Sequence, residues 1–260
     1  MLLAGQVTII TGGGRGIGRA IALGFAREGS SVLLAARTQT QVDSVAAELK
    51  SEGHKAAAVA ADVSQESGCQ VIVEAAQKQF GRIDILVNNA GVLGPVKAAE
   101  ETSPKEWDEV IAVNLRGPFL LSRLVLPEMY RRGSGAIINI SSVAAKAAFQ
   151  WNSPYAASKA GLVGFTRTLA AEAARKGVRV NAICPGPVPE TEMSQTLGKA
   201  LADRLHADPD ALFKGFLEQI LQGKPQTAAD VADAALFLAS SQSAAITGQT
   251  LNVDGGMSFY

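Results

Sequence analysis

The order of hydrophobic patterns in this 260-residue chain predicts an α/β domain. The expected form is a doubly wound parallel sheet of about seven strands with helices on both faces. Three observations lead there. Short β-rich runs alternate with longer helical patterns from one end to the other. Most of these runs are continuously apolar rather than alternating, as strands buried on both faces are. The first run passes through Thr11-Gly12-Gly13-Gly14-Arg15-Gly16-Ile17-Gly18 directly into a helical pattern.

The strand candidates are residues 7–11, 32–36, 56–61, 83–88, 136–140, 179–183 and 250–253. Helical patterns cover 18–28, 39–52, 64–80, 104–131, 154–176 and 228–240. Ser103 before Pro104, and Ser153 before Pro154, read as N-caps with proline at the first helical position. Right-handed crossovers then build an open sheet. A closed eight-fold barrel has the same alternation, but about seven strands and an early glycine turn favour the open form. The rhythm breaks at residues 185–225, which carry five prolines, two short helical patterns and no strand. That stretch reads as a flap, at about 186–225, inserted into a single domain of residues 1–260.

Composition narrows the function. Hydrophobic residues make up 47% and charged residues 18%, enough apolar surface for a large core. Lys+Arg and Asp+Glu both number 24, so no net field recruits nucleic acid or an anionic membrane. Cys69 and Cys184 have neither metal-ligand spacing nor a disulfide framework around them, and no metal is expected. No apolar run of about 18 residues is evident, so no membrane span is expected. Residues 1–6 run straight into the first strand without the pattern of a secretory signal. The expected location is the cytosol, with an organelle left open.

Two segments carry chemistry. A strand, a glycine-rich turn and a helix N-terminus form an anion site, because glycine lets the backbone approach a pyrophosphate. The segment is no P-loop, since no Gly-Lys-Ser/Thr ends it. Tyr155 and Lys159 lie four residues apart and share one helix face. A fixed ammonium favours the phenolate, so the pair reads as a tuned general acid/base whose phenol falls below its usual pKa of about 10. Asn114, with Gly117 and Pro118 close behind, is poor helix sequence and predicts a local irregularity. His54 and His206 lie in polar surroundings and are not expected to be catalytic.

In this order and at these distances, the segments resemble the short-chain dehydrogenase/reductase family over almost the whole chain, particularly its 3-oxoacyl-carrier-protein reductase-like members. Gly12, Gly14, Arg15, Gly16, Ile17 and Gly18 match its glycine-rich cofactor loop. Asp62 and Val63 match the pair that meets the adenine. Asn88-Asn89-Ala90-Gly91 matches the strand end beside the cofactor. Asn114 matches the residue that holds a proton-relay water. Ser142, thirteen residues before Tyr155, matches the catalytic serine. Its neighbour Ser141 points to the opposite face and reads as a strand-end cap. Pro185 and Gly186 match the turn beside the nicotinamide, with Val188 following. Residues 246–249 and 254–256 match the closing strand. One departure stands out: Thr191 comes one residue later than the family's threonine, and the extra prolines stiffen the flap hinge.

The resemblance implies a Rossmann-type fold and hydride transfer between a nicotinamide and a ketone or secondary alcohol. Asn114, Ser142, Tyr155 and Lys159 would be the catalytic set. Tyr155 would move the proton, and Lys159 would also bond the nicotinamide ribose. At the end of the second strand, where NAD-preferring folds place an acid, this chain has Ala36 followed by Arg37. An arginine can clamp a 2′-phosphate, with Arg15 as a second cation, so NADP(H) is favoured over NAD(H). Substrate contacts are expected from residues 93–96, Ala144, Phe149, Gln150, Trp151, Val188 and Met193. No arginine or lysine is evident there to hold an anionic substrate, which favours a neutral, moderately hydrophobic carbonyl compound. The long helices carry more apolar residues than one sheet face needs, and the family packs them in homodimers and homotetramers. An NAD-dependent alcohol or sugar dehydrogenase and a non-catalytic dinucleotide sensor are the alternatives.

Overall fold

Seven parallel strands lie side by side in the computed structural model, which describes residues 1–259. They are β1 (Val7–Thr11), β2 (Ser31–Ala36), β3 (Ala56–Ala60), β4 (Ile85–Asn88), β5 (Gly135–Ile140), β6 (Val178–Pro185) and β7 (Thr250–Val253). Their order is β3-β2-β1-β4-β5-β6-β7, which makes the sheet open and excludes the barrel. The chain winds outward from β1 in one direction, then returns past it to β4. Loops after β1 and β4 therefore diverge, and a crevice opens at the carboxyl ends of the strands.

Strand side chains alternate between faces, and the two faces bury different partners. Ile10, Leu34 and Ile138 pack with α1 (Gly16–Arg27), α2 (Gln39–Ser51) and α9 (Ala228–Ala239). Ile9, Leu33 and Ile137 pack with α3 (Glu66–Phe80), α5 (Gly117–Arg132) and α6 (Ser153–Ala173). Both layers are closed to water: Phe25 on α1 and Ile72 on α3 are fully buried. Burying a side chain of this size stabilises the fold by about 1.5–3 kcal/mol. This two-sided burial is why most of the strand sequences are continuously apolar.

Ends of elements differ from expectation by a few residues, for local reasons. Gly12 (φ +64°) and Gly16 (φ +51°) make left-handed turns, so α1 begins inside the glycine run. Residues before α4 (Pro104–Ile111) form the expected cap. The Ser103 hydroxyl accepts from the Glu106 N–H, and the Glu106 carboxylate accepts from the Ser103 N–H. Ser153 is not a cap. Trp151 turns the chain with φ +63°, which puts Asn152 in the cap position and Ser153 already inside α6.

Between α4 and α5, residues Ala112–Arg116 form a π-helical turn, the irregularity predicted around Asn114. The continuous helix Pro104–Arg132 is, against expectation, long and apolar enough to cross a membrane. Half of its apolar stretch is buried in the protein, as in a core helix. The flap contains α7 (Glu192–Leu205) and α8 (Pro209–Leu217) and no strand. The chain then enters α9, whose first N–H groups are capped by Thr227 and by the Glu190 carboxylate.

At the opposite end of the sheet, two glycines that close α5 and α6 touch. A Cβ on Gly177 (φ +74°) would lie 2.0 Å from the Gly133 carbonyl oxygen. Gly53 is also left-handed, at φ +84°, but faces open space. Gly53→Ala should cost only the backbone strain, about 1–2 kcal/mol. Gly177→Ala should cost at least ~1–3 kcal/mol more, because backbone cannot move aside. Urea denaturation of the two variants measures the difference; equal losses would mean that the helix ends separate freely.

Candidate active site

The crevice is stitched from β1 and β4. Thr11, the last residue of β1, accepts the N–H of Asn89 and of Ala90 on its hydroxyl, both at 3.0 Å. The Asn89 amide donates back to the Thr11 carbonyl at 2.9 Å and the Gly12 carbonyl at 3.2 Å. These bonds hold the glycine loop open against the β4 strand end. Gly18 sits beneath the loop, and a Cβ there would lie 2.2 Å from the Gly12 oxygen. Gly14 presses on Gln41, which places Arg15 beside the start of α2, close after Arg37. No side chain caps the first turn of α1, so its N–H groups point into the crevice.

Asp62 and Val63 lie just beyond the end of β3. The Asp62 carboxylate accepts the Ser64 N–H at 2.9 Å, which turns the chain toward α3. Val63 is buried against Gly117, where α5 begins. Gly91 lies over two of the expected catalytic residues: a Cβ on it would stand 3.4 Å from Asn114 Oδ1 and 3.5 Å from Lys159 Nζ.

Three of the four expected catalytic residues meet at the end of β5. The Ser142 hydroxyl lies close enough to the Tyr155 phenol to favour its ionised form, and accepts the Ala144 N–H at 3.1 Å. Lys159 Nζ lies 5.6 Å from the Tyr155 ring centre. The ammonium is nearly buried, 4% exposed, and donates to the Ile140 carbonyl at 2.8 Å. Ser141 points away, as expected, and donates to the Lys159 carbonyl at 2.9 Å. One serine therefore faces the phenol while the other ties down the helix turn that carries the lysine.

Asn114 is fully buried on the π turn and reaches the site at second hand. Its amide accepts the Val92 N–H at 2.8 Å and donates to the Val92 carbonyl at 2.9 Å. It also donates to Ser158 Oγ at 3.1 Å, and that hydroxyl donates to the Tyr155 carbonyl at 2.7 Å. Sequence reasoning missed Ser158. Its position on the Tyr155–Lys159 face of α6, three residues beyond the tyrosine, was the available signal.

Charge states depart from expectation. Burial pushes the Tyr155 phenol above its ordinary value, and the neighbouring Ser142 hydroxyl opposes this. The expected lowering by Lys159 is not what prevails, because that ammonium is turned toward Ile140 and is itself depressed by burial to about 8. Cys184, buried beneath Ser141 and Lys159, also has its thiol pushed up by burial.

The flap completes the site. Thr191 caps α7 and stands against Gly16, its methyl 3.3 Å from where a Cβ would be. It therefore lies beside the glycine loop, despite its one-residue shift. Pro185 ends β6, and the Gly186 N–H donates to the Val253 carbonyl at 2.8 Å. Val188 is a correction: its side chain is buried in the core under α9 rather than open to a substrate. Leu93, Val96, Ala144, Phe149 and Met193 do gather around Tyr155, joined by Ala156 and Leu197. Gln150 is exposed.

Trp151 carries a cation the sequence reading overlooked. Arg204 of α7 lies over its ring at 5.1 Å and pairs with Glu101 at 2.8 Å. Arg15 is also engaged, in an ion pair with Glu192 on the first turn of α7. Neither pairing has a signature in sequence spacing. Among the described residues no His, Cys, Asp or Glu cluster could hold a metal.

The buried ammonium implies a pH effect. Lys159 titrates near 8 when folded and near 10.5 when unfolded. Below pH 8 the cost of burying its charge is fully present; it disappears as pH rises to about 10.5. Lys159→Met should therefore be favoured over wild type most strongly below pH 8. That advantage should shrink by on the order of 3 kcal/mol toward pH 10.5. Urea titrations of both proteins at pH 7 and 10.5 measure it; a pH-independent difference would mean that the lysine is hydrated.

Comparison with known proteins agrees with this geometry. The short chain dehydrogenase family model matches residues 6–202. A 3-oxoacyl-acyl-carrier-protein reductase of Thermotoga maritima is 38% identical over 261 residues, covering 99% of each chain. The crystal structure of an actinorhodin polyketide ketoreductase variant with NADPH superposes with a TM-score of 0.93 at 35% identity, covering 98% of each chain. A 3-ketoacyl-acyl-carrier-protein reductase from Brucella melitensis, complexed with NADH, gives a TM-score of 0.88 at 36% identity, with coverage of 99% and 100%. With its seven-stranded parallel sheet, its glycine loop and its serine, tyrosine and lysine at one strand end, the chain belongs to the short-chain dehydrogenase family.

Proposed function

We propose that the protein is an NADP(H)-dependent oxidoreductase that interconverts a ketone and a secondary alcohol, with Tyr155 as the general acid/base. The observation that carries this reading is the gathering of Ser142, Tyr155 and Lys159 at the end of β5 beside the crevice, with the tyrosine and the lysine buried. The residues fit a dinucleotide. The loop from Gly12 to Gly18 packs its own backbone onto Gly18, where no Cβ fits, and leads into an uncapped helix N-terminus suited to a pyrophosphate. Thr191, Asn89, Ala90, Gly91, Pro185 and Gly186 would border it, with Asp62 and Val63 toward the adenine.

When bound, the nicotinamide supplies or accepts the hydride. The chain handles the proton and the geometry. Ser142 donates to the substrate oxygen and fixes it beside the phenol. Tyr155 delivers its proton to that oxygen as the carbonyl is reduced, and takes it back in the reverse direction. The raised phenol stays protonated at neutral pH and is thus available as the donor in the reducing direction; for Lys159 to stabilise the phenolate left behind, its ammonium would have to turn from the Ile140 carbonyl. Asn114 keeps Val92 and α6 in register and, with a water, would resupply the proton.

The apolar cluster around Tyr155 favours a neutral, moderately hydrophobic carbonyl compound. The named activities of the reductases above agree with this class. Arg37 is exposed just after β2, and Arg15 follows Gly14, which packs on the first turn of α2; the two cations would suit a 2′-phosphate. A second reading, NAD-dependent dehydrogenation of an alcohol or sugar, is favoured by the Arg15–Glu192 pair and by the NADH bound in the Brucella relative. Exposed Trp107 and Phe119 on the long helix Pro104–Arg132 suit a homodimer or homotetramer, and the reading is of a cytosolic enzyme.

Tyr155→Phe should lower kcat by about 10²–10⁴ while NADPH affinity stays within about ten-fold. Steady-state assays on a ketone panel, read at the nicotinamide absorbance, with fluorescence titration of NADPH, check this. Retained turnover would remove Tyr155 from the chemistry. Arg37→Asp should weaken NADPH by roughly ten-fold or more and leave NADH nearly unchanged. Unchanged NADPH affinity would end the NADP(H) reading and leave the NAD-dependent one.

A further inference from the structure

The flap is tied to the glycine loop by one pair of charges. Glu192 opens α7, where a carboxylate is stabilised by the helix N-terminus whether or not it has another partner. Its partner is Arg15, which stands between the turn at Gly14 and the left-handed Gly16. The backbone on both sides is close-packed. Gly16 carries the Thr191 methyl, and Gly14 presses on Gln41 in the first turn of α2. Arg15 therefore stands between the first turn of α2 and the flap, with its guanidinium on the flap carboxylate, while Arg37 is exposed on the rim after β2.

We propose that Glu192 is a specificity-determining residue that competes with a cofactor 2′-phosphate for Arg15. The inference rests on the reading of Arg15 and Arg37 as the 2′-phosphate partners. A phosphorylated dinucleotide must draw Arg15 away from Glu192, which costs one ion pair and releases the tether on the first turn of α7. A dinucleotide with a free 2′-hydroxyl leaves the pair intact and the flap tied down. Glu192 thus weakens NADP(H) relative to NAD(H) and couples the state of the flap to the cofactor. Both partners are more than half exposed, so the effect is modest.

The test is a double-mutant cycle with Glu192→Gln and Arg15→Met, reading NADPH and NADH dissociation constants by fluorescence titration. Glu192→Gln should tighten NADPH about two- to five-fold, with NADH changed by less than about 1.5-fold. The gain should shrink at 0.5 M salt, where exposed charges are screened within about 5 Å. Arg15→Met should weaken NADPH and should abolish the effect of Glu192→Gln. Equal tightening of both cofactors, no tightening of NADPH, or a full gain in the Arg15→Met background would overturn the competition. If Arg15→Met and Arg37→Asp both leave the NADPH-to-NADH ratio unchanged, the 2′-phosphate reading itself falls, and this proposal with it. If they change the ratio but Glu192→Gln does not, only the competition falls.

Discussion

Burial of the Lys159 ammonium is the constraint around which the site is arranged. The charge is taken out of water at the carboxyl end of a parallel sheet, where the Ile140 carbonyl accepts from it. A buried charge is expensive unless it is bonded. The strand end of β5 and the helix α6 are therefore held together at that point. Ser141 adds a second tie by donating to the lysine's own carbonyl. With the helix fixed in this way, Tyr155, one turn earlier, meets Ser142. The same burial that depresses the lysine to about 8 raises the phenol, so the lysine moves toward neutral pH and the phenol away from it.

A second set of bonds decides that there is a crevice beside this cluster. Parallel strands β1 and β4 leave their carboxyl ends in opposite directions, and Thr11 and Asn89 lock those ends at a fixed separation. The glycines matter where the chain must pass close to itself: Gly18 under the Gly12 carbonyl, Gly91 over Asn114 and Lys159. Opposite them, α7 is tethered at both ends by exposed charges, through Glu192 at its start and Arg204 at its close. Contacts of this kind are individually weak. A segment held by them, with little buried surface of its own, is suited to move while the buried cluster stays rigid.

Much of this was legible from sequence because it depends on burial and periodicity. Apolar runs, most of them continuous, identified all seven strands, since a strand covered on both faces has no polar side to show. Asn114 near Gly117 and Pro118 marked the π turn, because those residues suit an ordinary helix poorly. The opposition of Ser141 and Ser142 followed from strand alternation alone.

The remainder was decided by groups far apart in the chain. Whether Lys159 lowers the phenol pKa depends on where its ammonium points, and Ile140, nineteen residues away, decides that. Ser158 links Asn114 to the Tyr155 carbonyl only once α6 packs against the π turn. Val188 lies in the core rather than the pocket because α9 folds over it. Arg15 has a carboxylate partner 177 positions later, and no local pattern announces such a pair. Sequence by itself determined the layers, the order of motifs and the chemical groups present, because local sterics and hydrophobic period act over a few residues. Only the tertiary structure decided which charges meet and which are buried, because both depend on elements that the sheet brings together from distant parts of the chain.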